Sequence, residues 1–132
     1  MTVYMDCRIL RGMGISATDL FSALAHDTRL RCLMLLRHQE LCVCELTEVI
    51  GAAQPHMSRH LARLRELGLV KDRREGLWIH YRINPDLPDW IGDLFRVTSE
   101  GLASQLPFAA DAAALTRVFE GPGGQRCGPE RG

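Results

Sequence analysis

Apolar residues recur at helical spacing in five stretches of the chain, with a β-rich pair of segments before the last of them. Ser16 to Ala25 predicts a short helix with Leu20, Phe21 and Leu24 on one face, capped by Ser16 or Thr18. Asp27 or Thr28 opens a second helix running from Thr28 to about Arg37, in which Leu30, Leu33, Met34, Leu35 and Leu36 nearly encircle the axis. A helix apolar all round is a buried one. A short extended stretch at Leu41 and Val43 gives way to a third helix, Glu45–Ile50, with Leu46, Val49 and Ile50 at helical spacing and Gly51 as its stop. Pro55 suits a first helical position, because its ring fixes φ and it lacks the N–H that would be orphaned there. Gly68 ends that helix, so the fourth spans Pro55 to Leu67. Met57, Leu61, Leu64 and Leu67 form its apolar stripe and leave His56, Arg59, His60, Arg63 and Glu66 on the other side.

A short helix, the turn Gly51-Ala52-Ala53 and an amphipathic basic helix predict a helix-turn-helix whose second helix enters a major groove. Val70–Arg74 and Leu77–Ile83, joined around Glu75-Gly76, read as a hairpin with a basic tip. The fold class is therefore mainly α with a β-hairpin wing, a winged helix-turn-helix, with Arg73 and Arg74 set to touch phosphates. Asn84-Pro85 then breaks the chain, and Leu87 to about Leu106 predicts a last long helix with Trp90, Ile91, Leu94 and Phe95 clustered. That much apolar surface predicts a homodimer through the first and last helices, which also suits a palindromic DNA site. The domain reading is an N-terminal arm, 1–15, one DNA-binding and dimerisation domain, 16–106, and a largely flexible tail, 107–132. Within the tail 109–120 has helical potential but carries no chemistry, and Gly121–Gly132 is rich in glycine and proline.

Composition sharpens this picture in two places. The 132 residues carry no net charge, yet residues 53–83 hold seven basic groups against three acidic ones, so a polyanion is attracted to one segment only. No run approaches the ~20 apolar residues of a membrane span and no secretory leader is evident, which predicts a cytoplasmic protein. In that compartment five cysteines point to free thiols, metal ligation or redox sensing rather than to a disulfide framework.

Two of those cysteines, in Cys42-Val43-Cys44, lie at the start of the third helix. Thiolates are soft ligands that prefer soft ions to Mg²⁺ or Ca²⁺, and a helix N-terminus favours the thiolate form, although Glu45 and Glu48 oppose it. Residues two apart on a regular helix point roughly 200° away from one another. Sharing one ion therefore requires the start of that helix to deform, which would couple ligation to the DNA reader. An enzyme built on a cysteine nucleophile is disfavoured, since no Cys and His stand at a recognisable catalytic spacing and no phosphate-binding loop is present.

Taken in order, Leu24-Ala25-His26-Asp27-Thr28-Arg29-Leu30-Arg31, the segment ELCVCELTEVIG (40–51), QPHMSRHLARLRELGLV (54–70) and the wing DRREGLWIHYRINP (72–85) resemble the ArsR/SmtB family of winged-helix metalloregulatory repressors, over about 16–106. The ELCVCEL form is similar to the arsenite- and antimonite-sensing branch. The resemblance implies a homodimer that represses its own resistance operon and leaves DNA when As(III) or Sb(III) binds Cys42 and Cys44. It implies DNA contacts from Gln54, His56, Ser58, Arg59, His60 and Arg63, with Arg73 and Arg74 on the wing. Some relatives carry a third cysteine where this chain has Thr47, so the third ligand is open among Cys7, Cys127 and Cys32. Ala53 stands where the family often has a capping Ser, and His56 replaces a commonly basic or small residue, which shifts operator preference. Zinc-sensing relatives place ligands on the last helix, but 87–106 has neither His nor Cys. The alternative reading is a thiol-based sensor of cadmium, lead or zinc, or of redox or reactive sulfur, on the same fold.

Overall fold

A computed structural model of the chain describes residues 15–120. Its helices are α1 (Ala17–Leu24), α2 (Asp27–Leu36), α3 (Val43–Ile50), α4 (Gln54–Glu66), α5 (Asp89–Leu102) and α6 (Phe108–Glu120), and its strands are β1 (Leu41–Cys42), β2 (Val70–Glu75) and β3 (Trp78–Ile83). No helix among the described residues is long and apolar enough to cross a membrane.

The Ser16 side chain caps α1 by accepting from the Asp19 amide at 3.0 Å. Asp27 opens α2 as expected, and His26 before it supplies the cap, its Nδ1 accepting from the Thr28 amide at 3.2 Å. Five consecutive residues of α2, Cys32 to Leu36, are buried, as expected of a helix with apolar residues all round. Around them Leu20, Leu46, Met57, Leu61, Leu64, Ile91 and Phe95 complete one core. Each fully buried side chain of this kind contributes ~1.5–3 kcal/mol.

The helix-turn-helix is α3, residues 51–53 and α4. Gly51 takes φ 90°, the left-handed conformation that a residue without Cβ adopts freely, and its amide closes onto Thr47 O at 2.7 Å. Helix α4 begins one residue earlier than expected, at Gln54, with Pro55 second rather than first. Its stripe Met57, Leu61 and Leu64 is fully buried.

The wing pairs β2 with β3 in antiparallel register, Glu75 opposite Trp78, across the two-residue turn Gly76-Leu77. Gly76 at φ 62° occupies the first central position, the place where a II′ turn takes glycine. The sheet has a third strand, because β1 pairs with β3, Leu41 opposite Tyr81 and Cys42 opposite His80. The short extended stretch is thus a sheet edge, ending at Cys42 instead of Val43.

The helical potential read over 109–120 is realised as α6, within the stretch expected to be a largely flexible tail. The last long helix stops at Leu102 rather than about Leu106, and after it α6 packs against α2 and α3. Asp111, Leu115 and Val118 are buried in that contact. A bidentate ion pair, Arg31 Nε to Asp111 Oδ2 at 2.8 Å and Nη2 to Oδ1 at 2.7 Å, ties α6 to α2. The ordered domain therefore continues past residue 106. Residues 1–14 and 121–132, with Cys7 and Cys127, lie outside the described residues.

Candidate nucleic-acid interface and thiol site

Cys42 is the N-cap residue of α3, with extended backbone at φ −89° and ψ 167°, while Cys44 lies in the helix's first turn. Helical spacing therefore does not govern their separation, and the two sulfurs approach to 2.9 Å. This corrects the expectation that the start of the helix must deform before both can face one ion. The residue that frees the geometry is Cys42, which leaves the strand edge as the chain turns into the helix. Its amide donates to Glu45 Oε1 at 2.8 Å, and its side chain sits over the Glu45 amide in a capping box. The buried Glu45 carboxylate is thus held by the backbone of the thiol segment.

Cys42, 1% exposed, and the partly buried Cys44 border a cleft of about 170 Å³ that is lined also by Val43, Gln54, Ser58, Leu77, Trp78 and Ile79. Gln54 and Ser58 belong to the first turns of α4, and Leu77 to Ile79 to the tip of the wing and the start of β3. Three parts of the winged helix-turn-helix, α3, α4 and the wing, meet at one place. The cross-strand pairing of β1 with β3 makes this possible, and a two-residue strand leaves too little pattern in the sequence to announce it.

As donors, two sulfurs suit a soft ion. Thiolate bonds of ~2.3 Å meeting at roughly 95° span about 3.4 Å, so the sulfurs need part by only about 0.5 Å to chelate. Among the described residues no third His, Cys, Asp or Glu joins them in a metal-holding group. Cys32, considered as a third ligand, is fully buried in α2, its thiol donating to Met57 Sδ at 3.4 Å. Burial pushes that thiol up to about 12, which keeps it protonated and inert.

The residues expected to meet DNA fall into two groups. Gln54, His56, Ser58, Arg59 and Arg63 are exposed on α4, opposite its buried stripe. Arg59 Nη2 lies 2.6 Å from His56 Nδ1, and Arg63 forms only a loose pair with Glu66 at 3.9 Å. His60 instead turns towards the protein body. Its ring packs on His26 with centroids 4.2 Å apart, and its Nδ1 lies 3.4 Å from Arg29 Nη1. Burial, followed by the charges of His26, Arg29, Arg59 and His56, lowers its pKa from the usual imidazole value. Arg29 also donates to Ala23 O at 3.1 Å and Ser22 O at 3.4 Å, fastening the end of α1 beside α4.

On the wing, Arg73 and Arg74 differ. Arg73 forks onto Glu40, Nε to Oε2 at 2.9 Å and Nη2 to Oε1 at 2.8 Å, and reaches Glu75 at 3.2 Å. The same pairing holds the Glu40 carboxyl below its ordinary value. Arg74 is exposed and makes no ion pair among the described residues. Arg73 braces the wing to the segment that leads into β1; Arg74 keeps its charge for solvent or phosphate.

Comparison with known proteins bears on what this arrangement serves. Residues 26–72 match the family described as "Bacterial regulatory protein, arsR family". The chain is 44% identical over 103 residues to the arsenic resistance transcriptional regulator ArsR1 of Pseudomonas putida, covering 77% of this chain and 79% of that protein. Among solved structures, HlyU from Vibrio cholerae aligns with a TM-score of 0.55 at 31% identity, covering 74% of this chain and 97% of its own. The AntR antimony-specific transcriptional repressor aligns with a TM-score of 0.53 at 34% identity, covering 61% and 71%. A helix-turn-helix with a wing, a helix with an exposed basic face and a relationship extending over most of both chains lead to one assignment: this protein belongs to the arsR family of DNA-binding transcriptional regulators.

Proposed function

We propose that this chain is a metalloid-responsive repressor that holds the operator of a resistance operon and releases it when As(III) or Sb(III) binds Cys42 and Cys44. The observation that carries the reading is the 2.9 Å approach of the two sulfurs in a cleft walled by Gln54 and Ser58 of α4 and by Trp78 of the wing. Trivalent arsenic and antimony are soft, thiophilic centres, and two sulfurs this close chelate them after parting by only about 0.5 Å. Their binding inserts a bulky group between α4 and the wing, the two elements that must keep a fixed relation to fit a major groove and the flanking phosphates. Coupling of ~1–3 kcal/mol between the two sites is enough to lower DNA affinity about 5- to 150-fold.

DNA affinity in this reading comes from Arg59, Arg63 and Arg74 with Gln54, His56 and Ser58, while His60 and Arg73 position the elements that carry them. The operating form is a homodimer through α1 and α5. Phe21 on α1 and Trp90 and Val97 on α5 are each about half exposed in the protomer, and such side chains are the usual material of an isologous contact. The relative's role in arsenic resistance and the neighbour's antimony specificity support the choice of inducer. The closeness of the sulfurs also favours a second reading, in which the same pair answers to cadmium or lead or to an oxidant. Anisotropy of a labelled operator duplex, titrated in turn with arsenite, antimonite, cadmium, zinc and peroxide, separates them. Release at near-stoichiometric arsenite or antimonite with zinc inert upholds the first; release by cadmium or peroxide alone replaces it with the second.

A further inference from the structure

We infer that the space between α2, α5 and α6 is a binding site for a small neutral molecule, one hydrocarbon ring bearing one hydroxyl, with the Asp111 carboxylate accepting from that hydroxyl. The site is separate from the thiol pair, and neither reading depends on the other.

A cavity of about 140 Å³ lies where these helices meet. Met34 and Leu35 of α2 and Phe108 of α6 give it an apolar lining, and Ala103 and Ala112 contribute side chains too short to fill it. The volume sets the size of the occupant. A ~150 Å³ cavity is known to take benzene, whereas drug-sized ligands occupy ~300 Å³ or more.

The head group follows from Asp111, whose side chain lines the cavity and is 5% exposed. An ionised carboxylate offers about four acceptor positions. Arg31 fills one on each oxygen, Nε on Oδ2 and Nη2 on Oδ1, and these are the only hydrogen bonds that the carboxylate makes among the described residues. Burial withholds the water that would satisfy the remaining positions, so a donor brought by a ligand meets an acceptor with spare capacity. A neutral donor suits it better than an ammonium, because Arg31 already balances the charge and a second cation would confront the first at low dielectric. Ser99 and His38 are the other polar residues of the lining. A hydroxyl, donor and acceptor at once, matches a lining that holds both functions.

The cavity also stays clear of the proposed dimer face. Ser99 lies one turn beyond the buried Phe95, roughly 180–200° around α5 from Trp90 and Val97.

The test is a titration of the full chain, labelled with ¹³C at the methionine methyls, with phenol, benzene and benzylammonium as probes. Phenol is expected to shift the Met34 methyl signal saturably, with Kd on the order of 1 mM, and benzene and benzylammonium to bind at least about threefold more weakly. Ala103→Leu and Ala112→Leu each fill the cavity from an exposed backbone position, and each is expected to weaken phenol at least about tenfold while operator binding, which reports the fold, is kept. No saturable Met34 shift below about 10 mM phenol, or unchanged phenol binding in both variants, overturns the site. Benzene or benzylammonium binding as tightly as phenol overturns the assigned ligand class.

Discussion

Replacing Asp111 with Ala is the sharpest test of how the C-terminal helix is held. The Arg31 guanidinium donates twice to the Asp111 carboxylate and once, at 3.5 Å, to Ile50 O at the end of α3. The Asp111 side chain is 5% exposed and that of Arg31 21%. Asp111→Ala leaves a largely buried cation with a single weak acceptor. Breaking a buried pair costs ~3–5 kcal/mol, and the remaining water access of Arg31 lowers the expectation here to about 2–3 kcal/mol. For a chain of this size that corresponds to a fall of roughly 6–12 °C in Tm. Urea unfolding followed by circular dichroism, with a thermal melt in parallel, measures both. The double variant Arg31→Met/Asp111→Leu removes both charges and is expected to recover to within about 1 kcal/mol of wild type, because the cost lies in the orphaned charge and not in the lost attraction. An Asp111→Ala protein within about 0.5 kcal/mol of wild type, the range of an ordinary surface substitution, would refute the docking of α6.

Three further outcomes follow from the geometry. Gly51→Ala meets no atom within 4 Å, so only its backbone at φ 90° is strained; a loss of ~1–2 kcal/mol in urea is expected, and a neutral substitution would contradict the left-handed cap. Because the His60 pKa is lowered in the folded protein by burial and by His26, Arg29, Arg59 and His56, the unfolded chain binds more protons between that lowered value and ~6.5. Its contribution is therefore complete above ~6.5 and lost as pH falls towards the folded value; the urea midpoint should drop over that window and drop less in His60→Gln, whereas an identical slope in the variant removes His60 as the cause. Arg74→Ala should lower the slope of log K against log salt by ~0.9, the signature of one lost phosphate contact, and Arg73→Ala should lower it less, since Glu40 and Glu75 already neutralise that side chain. The reverse order would mean that the Arg73 ion pairs open on DNA.

Much of the reader was legible because its signals are local. Gly51 and Gly68 mark the ends of α3 and α4, and Met57, Leu61 and Leu64 mark the buried face of α4; each is a pattern within one element. What escaped involves two elements at once. Cys42 and Cys44 looked divergent because helical spacing was applied to a residue that lies outside the helix, on a two-residue strand whose partner is some forty positions away at His80. His60 and Arg73 carry the same residue types as their solvent-facing neighbours, and only tertiary contacts with His26 and Glu40 set them apart. In α6, alanine-rich sequence gave weak apolar periodicity, and the docking hinges on Asp111, an acidic residue that pattern reading assigns to solvent. Trp78 went unnoticed as a neighbour of the thiols for the same reason: the hairpin was visible, but not the strand beside which it folds.

The central claim is that the thiol pair governs DNA release. Anisotropy of wild-type protein and of the Cys42→Ser and Cys44→Ser variants on an operator duplex, titrated with arsenite, tests it most directly. Both variants should bind DNA like the wild type and lose at least about 90% of the arsenite response, the tenfold corresponding to ~1.4 kcal/mol of coupling. Variants that bind operator and still release it at the wild-type arsenite concentration would contradict the account.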